Sequence, residues 1–236
     1  MNKIRVWDLP TRLFHWSLVI CVVGAFCCVK FASVTQGWIA NLGVYWLSYH
    51  VFFGYCALTL ILFRLIWGLV GGHYSRFTTF IKGPRYITRY LKGEYHPLGH
   101  NPLGALSVIA LLGLFGLQAV SGLFVSDDIA YISSGPFAGT SYSKVLSSIH
   151  KSTEPLLILL VCVHVLAIII YRLKNKNLVI PMITGDMLSD RHAAVSQDST
   201  KTRLFALIIF IACIVLVYYI SGIKLGGTTS SFDDFM

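Results

Sequence analysis

The sequence predicts an all-α integral membrane protein, and three features of its composition support that prediction. Of the 236 residues, 56% are hydrophobic and 12% are charged, whereas about a quarter of the residues in a soluble domain are charged. The hydrophobic residues form continuous runs close to the roughly 20 residues that a helix needs to cross a bilayer. These runs do not alternate between apolar and polar residues, as the strands of a membrane barrel would. Helices are therefore expected, because a helix satisfies its backbone hydrogen bonds within the span.

Five hydrophobic runs are predicted to be membrane-spanning helices. The first lies near the N-terminus but has no small-residue cleavage site. We therefore expect it to be retained as a span rather than removed as a signal peptide. The predicted spans are residues 12–32, 46–70, 102–125, 150–172 and 203–223.

The charges between the spans predict the orientation of the chain. Basic residues concentrate in the N-terminal segment and in residues 71–101 and 172–203, whereas residues 33–45 and 126–149 are neutral or acidic. The positive-inside rule places the basic segments in the cytoplasm, so the N-terminus is expected inside and the C-terminus outside. The net charge of +9 is then explained by topology and by contact with anionic membrane lipid, and it does not indicate nucleic-acid binding.

Two segments between the spans have a recognisable character. The stretch GPRYITRYLK at 83–92 is predicted to be a short amphipathic helix on the cytoplasmic leaflet, with Pro84 in its first turn. Residues 186–202 are polar and have no sustained period, which predicts a linker. Four tryptophans at span ends are expected to anchor the spans at the membrane interface: Trp16, Trp38, Trp46 and Trp67.

Two histidines share the fourth predicted span. His150 and His164 are fourteen residues apart, and at about 100° per residue this spacing brings both side chains to nearly the same helix face. A rise of about 1.5 Å per residue separates them by roughly 21 Å along the helix axis. One helix would thus offer two imidazole ligands at two depths of the membrane.

Two further histidines complete a set that pairs by depth. With the predicted orientation, His15 lies near the cytoplasmic end of the first span and His50 lies near the outer end of the second. His50 therefore matches His150, and His15 matches His164. Each pair could bind one haem iron from opposite faces of the ring, which gives two b-type haems. Because both axial positions would be filled, electron transfer is favoured over activation of a substrate at the iron.

Alternative roles for the four histidines fit their arrangement less well. An intramembrane histidine often serves only as a hydrogen-bonding group between helices, but that role does not require matched depths. A single zinc ion cannot join ligands roughly 21 Å apart. The chain has no C-x-x-C-H motif for a covalently attached c-type haem. A haem-free transporter is a further alternative, although the inverted repeats and broken helices expected of one are not visible in the sequence.

Arg64 and His100 are candidates for contacts to haem propionates or to a quinone. Arg64 lies inside the second span, where it either pairs with a propionate or extends to the lipid headgroups. His100 begins the third span on the side of the inner haem, where it and its neighbours His73 and Arg76 could serve a quinone headgroup. The alternative is an interfacial loop without chemistry. Glycines in the spans allow close approach either of a flat macrocycle or of another helix: Gly24, Gly54, Gly104, Gly113, Gly116 and Gly122.

Several motifs together resemble the bacterial cytochrome b561 family, of the type that includes the cytochrome b subunits of nickel-iron hydrogenases and membrane formate dehydrogenases. These motifs are VWDLPTRLFHW at 6–16, Tyr49–His50, R-x-x-W-G at 64–68, R-F at 76–77, GHNPLG at 99–104, and the pair His150 and His164. The resemblance covers about residues 4–185 and implies a four-helix bundle with two b haems. It assigns His15 and His164 to the inner haem and His50 and His150 to the outer haem, in agreement with the depth argument.

The resemblance also implies a function. A protein of this family in the bacterial inner membrane would pass electrons between the quinone pool and a periplasmic redox partner, such as a c-type cytochrome or a dehydrogenase or hydrogenase subunit. It would be an electron-transfer subunit with quinone as its exchangeable redox substrate. A stand-alone superoxide:quinone oxidoreductase is the alternative within redox chemistry. One local departure concerns Lys151, which follows His150 where the family often has Glu, while Glu154 comes later.

The predicted organisation has four parts. Residues 1–185 form the dihaem four-helix bundle, and residues 186–202 form a cytoplasmic linker. Residues 203–223 form an additional transmembrane helix beyond the four-helix core, suited to docking. Residues 224–236 form a short periplasmic tail.

Overall fold

The computed structural model describes residues 2–34, 46–125, 135–190 and 193–222. The predicted tail at 224–236 and Trp38 lie outside this part of the chain. In chain order the elements are β1 (Asn2–Arg5), α1 (Leu9–Val34), α2 (Trp46–Val70), α3 (Phe77–Phe80), α4 (Pro84–Leu91), α5 (Pro102–Gly122), α6 (Ser143–Leu173), α7 (Val179–Thr184), β2 (Asp186–Ser189) and α8 (Thr200–Ser221).

Five of these helices, α1, α2, α5, α6 and α8, are long and apolar enough to cross a membrane. The prediction of an all-α integral membrane protein with five spans is therefore confirmed. The main difference lies at α6, which begins at Ser143, ahead of the predicted start at 150. Its first turns are too polar to show in a hydrophobic run, and they place His150 well inside the helix rather than at its end.

Helix α2 occupies the centre of the bundle. It packs against α1, α5 and α8, and α6 packs against α5. The largest apolar cluster lies where α1, α2 and α8 meet, and it includes Phe14, Phe63, Trp67 and Cys213. Helix α8 therefore lies against α1 and α2. Helix α6 is different, because no residue of its apolar window is buried, so a helix with two candidate ligands has little protein packed around it.

We call the end of the bundle at which α1 begins the N-terminal face, and the other end the opposite face. Helices α2 and α6 end at the N-terminal face, and α5 and α8 begin there. Asn101 before α5 donates to the Tyr171 hydroxyl near the end of α6 (3.1 Å). The Leu9 N–H at the start of α1 donates to Asp198 just before α8 (3.3 Å). All the short elements gather at this face.

A buried carboxylate joins the start of α1 to the end of α2. Asp8 is fully buried, and it accepts hydrogen bonds from Thr11 N–H (2.9 Å) and Ser75 Oγ (2.8 Å). It also accepts a bond from Gly72 N–H (3.2 Å). A Cβ at Gly72 would lie 2.4 Å from Asp8 Oδ2, so only glycine fits. Asp8 thus caps α1 and fixes it to the loop after α2.

Trp67 corrects the prediction that all four tryptophans anchor the spans at the interface. It is completely buried, and its indole Nε1–H lies 3.3 Å from both carboxylate oxygens of Asp8. A buried indole needs a hydrogen-bond acceptor, and Asp8 supplies one. Position at the end of a hydrophobic run could not distinguish this side chain from a membrane anchor.

The stretch predicted to be a linker, residues 186–202, is more structured than expected in its described parts, residues 186–190 and 193–202. It begins with β2, which pairs antiparallel with β1 and sets Ile4 opposite Met187. Further along, the Ser196 N–H donates to the Arg5 carbonyl (2.7 Å). We call residues 186–202 the strap, and its described parts are bound along the N-terminal face.

Helix α4 agrees with the prediction of a short surface helix. It begins at Pro84 in the first turn, and no residue in it is buried. The Tyr90 and Tyr171 hydroxyls lie 2.7 Å apart, which holds α4 against the end of α6.

Candidate haem sites

The structure brings His50 of α2 and His150 of α6 together near the opposite face. Their ring centroids lie 6.2 Å apart and the rings are nearly perpendicular, at 86°. Two imidazoles that bind one metal ion from opposite sides, each at about 2 Å, have nitrogen atoms about 4 Å apart. The separation of 6.2 Å between the ring centroids leaves room for such an ion between the two rings.

Backbone carbonyls orient both rings of this outer pair. His50 Nδ1 lies 2.9 Å from the Ala25 carbonyl of α1, and His150 Nδ1 lies 2.9 Å from the Gln118 carbonyl of α5. A carbonyl can only accept, so each Nδ1 carries the proton and each Nε2 is left with a lone pair for a metal. A metal-binding histidine usually donates its other ring N–H to a carbonyl or carboxylate in this way. The outer pair therefore fits a haem iron, and α1, α2, α5 and α6 all contribute to the site.

Some glycines of the spans serve helix packing, and others leave space that a macrocycle could fill. A Cβ at Gly122 would lie 3.1 Å from His150 Cε1, and one at Gly24 would lie 2.6 Å from the Phe53 ring. Gly122 therefore lets the His150 ring lie against α5, and Gly24 serves helix packing. A Cβ at Gly54 or Gly113 would meet no atom of the described residues within 4 Å. These two positions leave open space, which a flat macrocycle or a lipid chain can fill.

The inner pair, His15 of α1 and His164 of α6, lies nearer the N-terminal face. His164 Nδ1 lies 3.3 Å from Ser107 Oγ of α5. His15 Nδ1 is buried and has no hydrogen-bond partner among the described residues. Hydrogen bonds therefore orient the rings of the inner pair less firmly than those of the outer pair.

Arg64 does not extend to the headgroups, because only 2% of it is exposed. Its guanidinium carbon lies 4.8 Å from the centre of the Phe77 ring and 6.0 Å from that of Phe14. One guanidinium nitrogen, Nη1, is buried without a hydrogen-bond partner in the described part of the chain. An unsatisfied buried cationic group is costly, and a carboxylate such as a haem propionate would satisfy it.

His100 lies on the same side of the molecule, at the start of α5. Its ring packs edge-on against Trp7, at 4.6 Å between centroids, and at a tilt of 37° against Phe80, at 4.2 Å. Its Nδ1 is buried and has no hydrogen-bond partner among the residues that the structure describes. Burial, and then the nearby Arg64 and His15, lower the pKa of His100 to about 3. The imidazole is therefore neutral at physiological pH, and it can both donate and accept a hydrogen bond.

A cavity of about 580 Å³ opens beside His100 at the N-terminal face. Its lining includes His73 and His96, which the sequence places near His100, and also Tyr74 and Ala193. Arg76 does not line it. Arg76 lines a second cavity of about 410 Å³ together with His73, so the grouping of Arg76 with His100 from the sequence is not supported by this geometry.

Sequence reasoning missed the groups that orient the ligands. Ala25 and Gln118 act through backbone carbonyls, which every residue has, so no residue type could have pointed to them. Ser107 lies inside a span, six positions after Asn101, and its hydroxyl is a possible partner for a ligand. Many serines in spans, however, form hydrogen bonds only within their own helix. Only the folded arrangement of the helices identifies these partners.

A bundle of apolar helices with paired histidines across it is the architecture of a membrane-bound b-type cytochrome. The family model for prokaryotic cytochrome b561 matches residues 6–185, so this chain belongs to that family. It is accordingly a transmembrane electron carrier that binds haem b. Comparison with curated proteins and with solved structures gives no match. Helix α8 lies beyond the matched residues.

Proposed function

We propose that this chain binds two b haems and conducts electrons through the bacterial inner membrane between the quinone pool and a periplasmic redox partner. The observation that carries the proposal is the approach of His50 and His150 to 6.2 Å between ring centroids. His164 lies fourteen residues after His150 on the same helix, and His15 lies on α1 at a second depth. These two histidines are the proposed second pair of ligands.

Each histidine pair has one task. His50 and His150 would hold the outer haem, and His15 and His164 would hold the inner haem. A bound haem supplies one-electron chemistry at its iron. Each pair would supply two imidazoles to one iron, which would leave no position on the metal for a substrate and would favour electron transfer. Arg64 would neutralise a propionate of the inner haem.

The N-terminal face is proposed to be cytoplasmic. Helix α4 and the segment before it display Lys82, Arg85, Arg89 and Lys92 there, and the positive-inside rule favours such residues in the cytoplasm. The inner haem would then lie near the cytoplasm and the outer haem near the periplasm. A periplasmic partner, a c-type cytochrome or a hydrogenase or dehydrogenase subunit, would exchange electrons with the outer haem.

The cavity beside His100 is the proposed quinone site. Its volume of about 580 Å³ lies in the range of roughly 300–1,000 Å³ typical of ligand pockets. A neutral His100 can donate a hydrogen bond to a quinone oxygen. Reduction of a quinone to the quinol takes two electrons and two protons. His73 and His96 line the same cavity and could transfer these protons from solvent.

Two alanine variants test the haem assignment. We expect wild-type protein to bind two haems per chain, and His164→Ala and His150→Ala each to bind one. The reason is that each substitution removes one axial ligand from one pair and leaves the other pair intact. The measurement is the haem-to-chain ratio, with the visible spectrum of the reduced protein as evidence for the b type.

The two variants are matched controls for each other, because both change a histidine of α6. The haem left in His164→Ala must differ in midpoint potential or in electron paramagnetic resonance signal from the haem left in His150→Ala. Full occupancy of two haems in either variant would show that the pairing is wrong. Absence of haem from the wild type would refute the proposal.

A further inference from the structure

The strap after the family-matched region is bound to the first turn of α1 through a single carboxylate. Only 6% of the Asp198 side chain is exposed. It accepts a hydrogen bond from the Leu9 N–H at 3.3 Å, from Arg5 at 2.8 Å and from Arg203 at 2.9 Å. Arg12 lies 3.8 Å away. Asp198 therefore gathers cations from β1, α1 and α8 and adds an external cap to α1.

The residues just before the strap hold the next turns of α1. Arg12 donates to the Ile183 carbonyl at 2.6 Å, and the Trp16 indole donates to the Met182 carbonyl at 3.2 Å. Trp16 directly follows His15. The part of α1 from its first residue to the inner-haem ligand is thus fixed to the C-terminal part of the chain.

His15 depends on this attachment more than the other ligands do. His50 and His150 each have a carbonyl at 2.9 Å from Nδ1, which fixes the orientation of the ring. His15 Nδ1 has no such partner among the described residues. The position of its ring is therefore set by the placement of α1 and by the packing around it.

We propose that Asp198 is a positioning residue for the inner haem, acting by fixing the start of α1 and with it His15. The inference rests on the proposed pairing of His15 with His164. The segment beyond the family-matched residues would then have a specific role. Asp198, which lies in the strap just before α8, would stabilise one of the two haem sites. The outer haem should not depend on Asp198, since none of its ligands or their carbonyl partners has a contact with the described residues of the strap.

The test is Asp198→Asn in the full-length protein. This variant keeps the shape of the side chain and removes its charge. We expect the inner haem to be retained about tenfold less tightly, and its midpoint potential and electron paramagnetic resonance signal to change. The outer haem should be unaltered. His164→Ala and His150→Ala identify which signal belongs to which haem.

Two control variants separate positioning from general stability. Asp198→Glu keeps the charge and should recover most of the inner-haem retention. Glu94→Gln removes a carboxylate that pairs with Arg89 at the same face, at 3.8 Å, and should change neither haem.

Equal weakening of both haems in Asp198→Asn, or no change in either, would overturn the inference. Loss confined to the outer haem would also overturn it. A wild-type protein without a second haem contradicts the proposed function itself, and the haem-to-chain ratio shows this before any strap variant is compared.

Discussion

His100 differs from the four candidate haem ligands in what surrounds it. Each ligand candidate is proposed to pair with a histidine on another helix, whereas His100 has aromatic rings on two sides, Trp7 and Phe80. Its Nδ1 is buried without a hydrogen-bond partner in the described structure, and the ring lines the cavity at the N-terminal face. A group that enters the cavity can satisfy this ring at little cost, because no existing hydrogen bond must break.

Replacement of His100 by Gln should slow the reduction of the haems by a quinol about 100-fold, because the amide keeps hydrogen-bonding groups but cannot transfer a proton as the imidazole can. Both haems should be retained, and dithionite should reduce them as completely as in the wild type. Stopped-flow absorbance in the haem bands measures both rates. An unchanged rate with quinol would place the quinone elsewhere. Loss of the inner haem would instead assign His100 a structural role.

At the scale of single residues, the sequence predicts groups whose chemistry is rare in a membrane. Four histidines and Arg64 stand out because an ionisable side chain in a span needs a reason. The burial of Arg64 excludes headgroup contact, and its contact with a haem propionate stays a prediction. Trp67 could not be assigned correctly, because its partner Asp8 lies 59 positions away and precedes the span.

The elements of the N-terminal face show why short structure is harder to predict than spans. Helix α4 follows from Pro84 and an amphipathic pattern over eight residues. Strands β1 and β2 have four residues each and pair across more than 180 positions. A period of two cannot be distinguished from chance in four residues. The strap was therefore expected to be a linker, although its charges were visible.

The carboxylate of Asp198 in the strap is expected to make the stability of the fold depend on pH. Burial disfavours the charged form of Asp198, but hydrogen bonds from Arg203 and the Leu9 N–H, with the charges of Arg203 and Arg5, outweigh it and lower the pKa of Asp198 from 3.8. A carboxylate with a lowered pKa stabilises the folded state above its unfolded-state pKa. That contribution is lost as the pH falls through the folded-state pKa.

Wild-type protein in detergent should therefore melt about 2–4 °C above Asp198→Asn at neutral pH. The difference should persist down to about pH 4 and vanish below it, once the carboxylate is protonated. Glu94→Gln should show no such difference, because its ion pair with Arg89 is exposed. A difference that widens on acidification would mean that Asp198 is destabilising when charged, contrary to its contacts.

At the scale of the whole molecule, the histidine pairs and the orientation are separate conclusions. The proposed pairs rest on helix spacing and would hold whichever way the protein lies in the membrane. The names inner and outer, and the choice of the N-terminal face for the quinone, depend on orientation alone. The loop charges support one orientation, and the cavity beside His100 then opens toward the cytoplasm.

Labelling of single introduced cysteines tests the orientation directly. Lys92→Cys places a thiol at the end of α4, and Tyr142→Cys places one just before α6, where Tyr142 is 68% exposed. The six native cysteines all lie within α1, α2, α6 and α8, out of reach of a membrane-impermeant reagent. In intact spheroplasts we expect labelling of Tyr142→Cys and protection of Lys92→Cys until lysis, because only the opposite face meets the periplasm. The reverse pattern would exchange the two haem assignments and move the quinone site to the periplasmic side. It would leave the pairing of His50 with His150 and of His15 with His164 intact, because that pairing depends only on which helix ends lie together.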